Sequence, residues 1–319
     1  MSDLRYDPIS GIWVAIARNR RERPMEFVPV EQVNKQIICP FCYGNEDETP
    51  IPIAAYDENG KRLGSDDDPG SWSARIVPNK YPSLLLAPGQ FDPGPYECST
   101  MDGIQEIVIP TPRHITSISE LEPFELHNCL LACQDRVRDL SKIDQIEHVM
   151  IFMNCRSEAG ASLEHIHFQI MAAPVISHYL VSRHNRNEKH VASKKQSLLS
   201  TLLDWELSQE VRILEETDRF IMLCPFASRF AFQVWIAPKT SELAFDSTSE
   251  DFRPELSELI SRYTCRLEEL LEKPAYNLLL HLAPTKLNQN QHWFIEIFPR
   301  LNRMAGFEIG TEIWVNPVP

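Results

Sequence analysis

The segment Gly160–Pro174 reads GASLEHIHFQIMAAP, and its second half decides how the chain folds. His165, His167 and Gln169 alternate with Ile166, Phe168 and Ile170. A period of two sends successive side chains to opposite faces, so the segment reads as a strand with one apolar face and one face carrying two imidazoles and an amide.

A similar His-led strand, HWFIEIF, begins at His292. The neighbourhoods of the two match. QEIVIPTPRH (105–114) and QVWIAPKTS (233–241) read as strands stopped by prolines. Each is followed by an amphipathic helix, with Leu126, Leu130, Cys133, Val137 and Leu140 on one stripe and Leu256, Ile260, Tyr263, Leu267 and Leu270 on the other. Apolar strands follow, HVMIFMN and YNLLLHLAP, then a loop, then the His-led strand. The offset is 127 residues from His114 to Ser241, from His165 to His292 and from His167 to Phe294. This fixed register predicts an internal duplication, with one half in residues 1–180 and the other in 181–319. The expected fold class is α+β, each half an antiparallel sheet with a packed amphipathic helix. Between the repeated blocks, residues 172–222 read as a polar, basic linker around SRHNRNEKHVASKKQ, then a helix and a hairpin. The acidic GSDDDPG reads as a solvated turn.

With 319 residues, 43% hydrophobic, the chain is long enough for such a double core. Its 31 Lys and Arg stand against 45 Asp and Glu, a formal net charge of -14, which argues against nucleic acid or an anionic membrane as partner. No apolar run approaches the roughly 20 residues of a membrane helix, and the start MSDLRYDPIS lacks a signal pattern, so a cytoplasmic location and reduced thiols are expected. No Walker or dinucleotide fingerprint occurs.

CPFC places Cys39 and Cys42 across one tight turn, half of a tetrahedral zinc site, although redox pairs share that spacing. The repeat offers His114 and His165 as the remaining ligands. At the equivalent places in the second half stand Ser241 and His292, with Ser200 and Leu203 upstream, too few ligands for a metal. One structural zinc ion per chain is expected, in the N-terminal half. His167 lies two residues beyond His165 on the same face, roughly 6.5 Å along the strand. An imidazole held there is a competent nucleophile toward phosphorus. Gln169 can donate to a non-bridging phosphate oxygen, and Ser162 can do similar work.

NCRSEAGASLEHIHFQ resembles the active-site segment of the galactose-1-phosphate uridylyltransferase family, a branch of the histidine-triad superfamily that includes ADP-glucose phosphorylase-like members. RYDPISGIWVAIARNRRERP, CPFC, RIVPNKYPS, IPTPRH, CPFASRFAFQVWIAPK and HWFIEIFPRLNRMAGFEIG resemble family blocks in family order, so the likeness covers nearly the whole chain. It implies a duplicated histidine-triad fold, a homodimer, and double-displacement transfer through a nucleotidyl-histidine. By position it implies that His167 is the nucleophile and Gln169 its phosphate-stabilising partner. Cys39, Cys42, His114 and His165 fall on the zinc ligands, Arg20 and Arg23 on phosphate-binding arginines, and Asn79, Asn154 and Ser162 on nucleotide and phosphate contacts. Gly306, Phe307 and Glu308 resemble the segment that contacts the sugar phosphate. Without the resemblance, Arg20 and Arg23 would read as a solvated basic run.

Arg156 and Glu158 depart from the family loop, where many relatives carry Gly and Ala. A cation beside the phosphate site would either add a phosphate contact or block the backbone approach that glycine permits, unless Glu158 neutralises it. The first functional expectation is transfer of uridylate between UDP-glucose and galactose 1-phosphate. The alternatives are an ADP-glucose phosphorylase or adenylyltransferase of the same fold, and a nucleotide-binding protein without turnover.

Overall fold

The computed structural model describes residues 2–7, 12–17, 38–64, 70–83, 98–100, 103–240, 244–287, 292–301 and 304–318. Near the N-terminus, β1 (Ser2–Asp7) and β2 (Ile12–Ala17) pair antiparallel, and β5 (Cys98–Thr100) joins the free side of β1. A sheet of ten strands holds everything else together.

Its N-terminal strands are β3 (Ala54–Tyr56), β4 (Ala74–Pro78), β6 (Ile104–Ile109), β7 (His148–Cys155) and β8 (Phe168–Ala173). The C-terminal strands are β9 (Ile213–Glu216), β10 (Phe220–Leu223), β11 (Val234–Pro238), β12 (Tyr276–His281) and β13 (Phe294–Pro299). The order is β3-β4-β6-β8-β7-β12-β13-β11-β10-β9, and every pairing is antiparallel. Read outward from the β7–β12 seam, the two sides give the same succession. At the seam's centre Phe152 faces Leu279, themselves 127 residues apart.

One face of this sheet is covered by α1 (Pro123–Leu140) and α4 (Phe252–Leu270), which pack on each other. Pro123 opens α1, where a missing N–H costs nothing, and the Glu125 carboxylate accepts from the Glu122 N–H at 2.8 Å. The whole predicted stripe of α1 is buried, and so is that of α4 except Leu270, which ends the helix and is 65% exposed. These side chains meet Val108, Ile151, Phe168, Ile170, Leu278 and Ile297 in one continuous core, each full burial contributing about 1.5–3 kcal/mol.

The opposite face is covered differently in the two halves. In the first, Cys39, Phe41 and Trp72 pack on Val77, Ile107 and Ile109. In the second, α3 (Leu198–Gln209) lays Leu199, Leu203 and Leu207 on Ile221, Leu223 and Phe294. The linker contains two helices where one was expected. The basic stretch forms α2 (His178–Lys194), a mostly polar and charged helix that buries only Leu180 and Asn187. Five residues of the acidic turn, 65–69, lie outside the described residues, as does Ser241. A short helix, α5 (Gly306–Thr311), follows β13. No helix among the described residues is long and apolar enough to cross a membrane.

Candidate active site

The opening motif meets the sheet later than its alternation suggests. β8 begins at Phe168, so His165 and His167 stand on the approach to it, with Ile166 N–H bonded to the Ile115 carbonyl at 2.8 Å. Both faces of the motif are buried, since His165, His167 and Gln169 are as shielded as Ile166, Phe168 and Ile170. The polar face lies under the CxxC turn: the Phe41 ring is 5.8 Å from that of His165 and 5.2 Å from that of His167.

That turn brings the four predicted metal ligands together. The ligand atoms of Cys39, Cys42, His114 and His165 all lie within 4.8 Å of one another, and the group can hold a metal ion. His165 Nδ1 is 3.5 Å from Cys39 Sγ and 3.6 Å from Cys42 Sγ, and His114 Nδ1 is 3.2 Å from Cys42 Sγ. A tetrahedron with ordinary zinc–sulfur and zinc–nitrogen bonds has S···N edges of about 3.6 Å. His165 Nε2 donates to the Thr111 carbonyl at 3.1 Å, which leaves Nδ1 as the lone-pair nitrogen facing the thiols. Burial holds the His165 imidazole neutral, its pKa down at about 4, and pushes the Cys39 thiol up to about 12. A thiol so placed needs a cation to become a ligand.

His167 is fixed by its own backbone. Its Nδ1 donates to the His165 carbonyl at 2.8 Å, so the lone pair resides on Nε2. The ring is 3% exposed, yet it lines a cleft of ≈ 270 Å³ together with Ser162, Asn79, Lys80 and Tyr81. Gln169 accepts at Oε1 from Gln105 Nε2 at 3.2 Å. Asn79 is held by its N–H on the Gln105 carbonyl, and its Oδ1 accepts from Tyr81 N–H, both at 2.9 Å.

Asn154 does not line the cleft. It sits at the end of β7 beneath the loop that carries Ser162, with Nδ2 on the Gly160 carbonyl at 3.4 Å. Gly160 turns there with φ +96°, a left-handed conformation that suits glycine. From the second half, Asn277 Nδ2 donates to Asn154 Oδ1 at 2.8 Å and to the Ala159 carbonyl at 2.9 Å. Sequence reasoning missed Asn277, whose signal is one amide inside an apolar strand.

Arg156 departs from expectation. Its guanidinium turns to the Pro274 carbonyl at 2.6 Å and to Glu268 on α4 at 3.2 Å, so Glu268, not Glu158, is its counter-ion. Glu158 instead accepts from the Ser157 hydroxyl at 2.9 Å. Gly306, Phe307 and Glu308 lie on α5, do not line the His167 cleft, and leave Phe307 54% exposed. Arg20 and Arg23 lie outside the described residues.

The second half answers the question of an equivalent metal site with different residues from those anticipated. His292 Nδ1 meets the hydroxyls of Ser197 at 3.1 Å and Ser200 at 3.2 Å, so Ser197-x-x-Ser200, not Ser200 and Leu203, occupies the place of the CxxC pair. Phe294 stands where His167 does and stacks on His281 at 4.4 Å. Glu296 stands where Gln169 does and is bound by Arg229 at 2.8 Å and His281 at 2.7 Å.

Residues 111–319 match the family described as a domain of unknown function, DUF4921. Over 99% of its length the chain is 29% identical to the ADP-glucose phosphorylase of Arabidopsis thaliana, covering 89% of that protein. It is 27% identical over its whole length to the galactose-1-phosphate uridylyltransferase of Thermotoga maritima, covering 95% of it. The crystal structure of an Arabidopsis thaliana ADP-glucose phosphorylase with bound ADP-glucose superposes with a TM-score of 0.75 at 27% identity, covering all of this chain and 95% of that one. The chain therefore belongs to the DUF4921 family and, with it, to the galactose-1-phosphate uridylyltransferase-like proteins.

Proposed function

We propose that the chain is a nucleotidylyltransferase that moves a nucleoside monophosphate from a nucleotide sugar to a sugar phosphate through a covalent intermediate on His167. The observation that carries this reading is the bond from His167 Nδ1 to the His165 carbonyl, which presents Nε2 as the lone-pair nitrogen in a ring that lines the cleft. In the first step Nε2 attacks the α-phosphorus of the donor, the bond from phosphorus to the bridging oxygen breaks, and the hexose 1-phosphate leaves. The positive charge that spreads over the ring is stabilised where Nδ1–H meets the carbonyl. In the second step an oxygen of the acceptor phosphate attacks phosphorus, the N–P bond breaks, and the neutral imidazole returns. Gln169 and Ser162 offer hydrogen bonds to the non-bridging oxygens, Asn79 borders the nucleotide, and Asn154 shapes the Ser162 loop. Arg20 and Arg23 supply the forked donors that two phosphates need in an acidic protein.

The metal in this reading is one structural zinc ion on Cys39, Cys42, His114 and His165. The S···N separations of the four side chains suit it. Cys39 and Cys42 would hold the ion as thiolates and His114 and His165 as neutral imidazoles, which would fasten the CxxC turn to His165, and a set of four protein ligands would give the ion a structural role. The halves 1–180 and 181–319 derive from a duplication, and only the first is catalytic. The protein acts as a cytoplasmic homodimer, a reading supported by the exposed Met304, Phe307, Ile309 and Ile313 around α5, through which Gly306, Phe307 and Glu308 reach substrate.

UDP-glucose and galactose 1-phosphate are the first substrate pair, in keeping with the name of the Thermotoga relative. Transfer of adenylate from ADP-glucose to phosphate is the second reading, favoured by the Arabidopsis relative and its ADP-glucose-bound structure. Double displacement predicts that labelled glucose 1-phosphate exchanges into the nucleotide sugar with no second acceptor present. Comparing UDP-glucose with ADP-glucose in that exchange identifies the base; exchange with neither rejects the reading and leaves the non-catalytic binder.

A further inference from the structure

Gln169 is useful to a phosphate only if its N–H2 end faces it, because its carbonyl end would repel the charge. A glutamine amide is nearly symmetric in shape, so something must choose the end. Gln105, on β6, supplies the choice. Ile107 is the direct cross-strand partner of Gln169, which makes Gln105 a diagonal neighbour on the same face. The order of donors can be read from a group that has only one possible role. The Ser83 backbone N–H donates to Gln105 Oε1 at 2.8 Å, and the Ser83 hydroxyl reaches the same oxygen at 3.0 Å. A backbone N–H cannot accept, so the end of Gln105 that faces Ser83 is the oxygen and the end that faces Gln169 is Nε2. Gln169 therefore meets Nε2 with Oε1, at 3.2 Å, and its own N–H2 is turned away from Gln105.

We infer that Gln105 is a positioning residue, which sets the direction of the Gln169 amide so that it offers N–H groups to the reacting phosphate. Gln105, Ser83 and Gln169 are 5%, 6% and 4% exposed, so water does not compete freely with these bonds. The second half shows that the arrangement belongs to the fold. Gln233 Oε1 accepts from the N–H groups of Arg229 at 2.6 Å and Phe230 at 3.2 Å, and Gln233 Nε2 donates to Glu296. There the acceptor is a carboxylate with two equal oxygens, so nothing is oriented. Only where the second side chain is an amide does the same relay carry directional information.

The inference rests on the transferase reading, and one set of variants separates the two. Gln105→Glu keeps the acceptor for Ser83 and replaces the donor by a second acceptor. Gln169 must then rotate to donate toward position 105, which presents its carbonyl to the phosphate. The readout is single-turnover nucleotidylation of the full chain by labelled UDP-glucose and ADP-glucose. Gln105→Glu is expected to slow labelling by roughly 10²–10³-fold, the usual loss for one donor in the transition state, with the donor concentration at half-saturation little changed. The deficit relative to wild type should shrink as pH falls, because the introduced carboxyl, once protonated, can again donate to Gln169 Oε1. In a Gln169→Ala background the same substitution should cost less than about threefold. The near-isosteric apolar variant Gln105→Leu guards against a folding artefact and should lose roughly tenfold, since the amide is then free to take either direction. Wild-type rates in Gln105→Glu and Gln105→Leu, a deficit that persists undiminished beside Gln169→Ala, or a loss confined to half-saturation would each overturn the inference. If the wild-type chain takes no label, the transferase reading falls first and this inference with it.

Discussion

At matched positions in the sheet the two halves make opposite use of one frame. His165 meets two thiols at 3.5 and 3.6 Å, and His292 meets two hydroxyls at 3.1 and 3.2 Å. His167 holds Nδ1 on the His165 carbonyl and lines a cleft, whereas Phe294 stacks on His281 beneath the Arg183 guanidinium, 5.0 Å from its ring. Gln169 keeps a neutral amide, whereas burial of the Glu296 carboxyl is outweighed by the His281 hydrogen bond and the Arg229 charge, which hold its pKa at about 2. A hydroxyl pair satisfies an imidazole without a metal, and the Glu296 carboxylate has its acceptor sites taken by Arg229, Gln233 and His281. The sheet thus sets where groups stand, and a few residue choices decide which side can do chemistry.

Exchanging those choices tests the comparison. The largest effect is expected from His167→Ala, which removes the attacking nitrogen and should lower transfer by roughly 10⁶-fold, whereas Phe294→His should restore nothing, because Arg183 and Glu296 remain around it. Rates of glucose 1-phosphate exchange check both. Next comes Gln169→Glu, which gives the first half the acid of the second. It should cost roughly 10²–10³-fold in the same assay by facing the phosphate with charge, and a loss below about tenfold would break the proposed equivalence.

Acid should weaken both halves, through one buried imidazole in each. Burial holds the imidazoles of His148 and His292 at pKa values of about 4, against about 6.5 in the unfolded chain. Between those values the unfolded chain binds more protons, so this stability is complete above about pH 6.5 and is lost as pH falls toward 4. The loss is ~3 kcal/mol per histidine at most. Denaturant titrations across that range check the slope, and His148→Gln should flatten it. Smallest is Asn277→Ala, which frees the Ser162 loop from the second half and should lower transfer about tenfold with the melting temperature little changed. An unchanged rate would deny the second half any part in the site.

Much of this difference is legible in the sequence because strand alternation and a constant offset of 127 residues survive in the letters. The CxxC spacing likewise identifies two of the four side chains that can hold a metal ion. What the letters hide is geometry across long separations. Ser197 caps α3 and touches His292 from 95 residues away, so no local pattern distinguishes it from Leu203, the residue that simple spacing suggests. Arg156 finds Glu268 across 112 residues, which is why Glu158, two places along the chain, looks the more natural counter-ion in sequence. Gln105 reads as one of two adjacent polar residues in an otherwise apolar strand, and its orientation of Gln169 becomes visible only once Ser83 is seen to donate to it. The linker helix α2 is obscure for another reason: its residues are mostly polar and charged, so few apolar side chains are there to mark a buried face.

The central claim is that phosphorus becomes bonded to one particular imidazole. Mapping the peptides of the chain after incubation with labelled UDP-glucose or ADP-glucose, acceptor omitted, tests it most directly. The account predicts an acid-labile, base-stable label on the peptide that carries His167, approaching one per chain and absent from His167→Ala. Label on any other residue, or turnover without a labelled peptide, would contradict it.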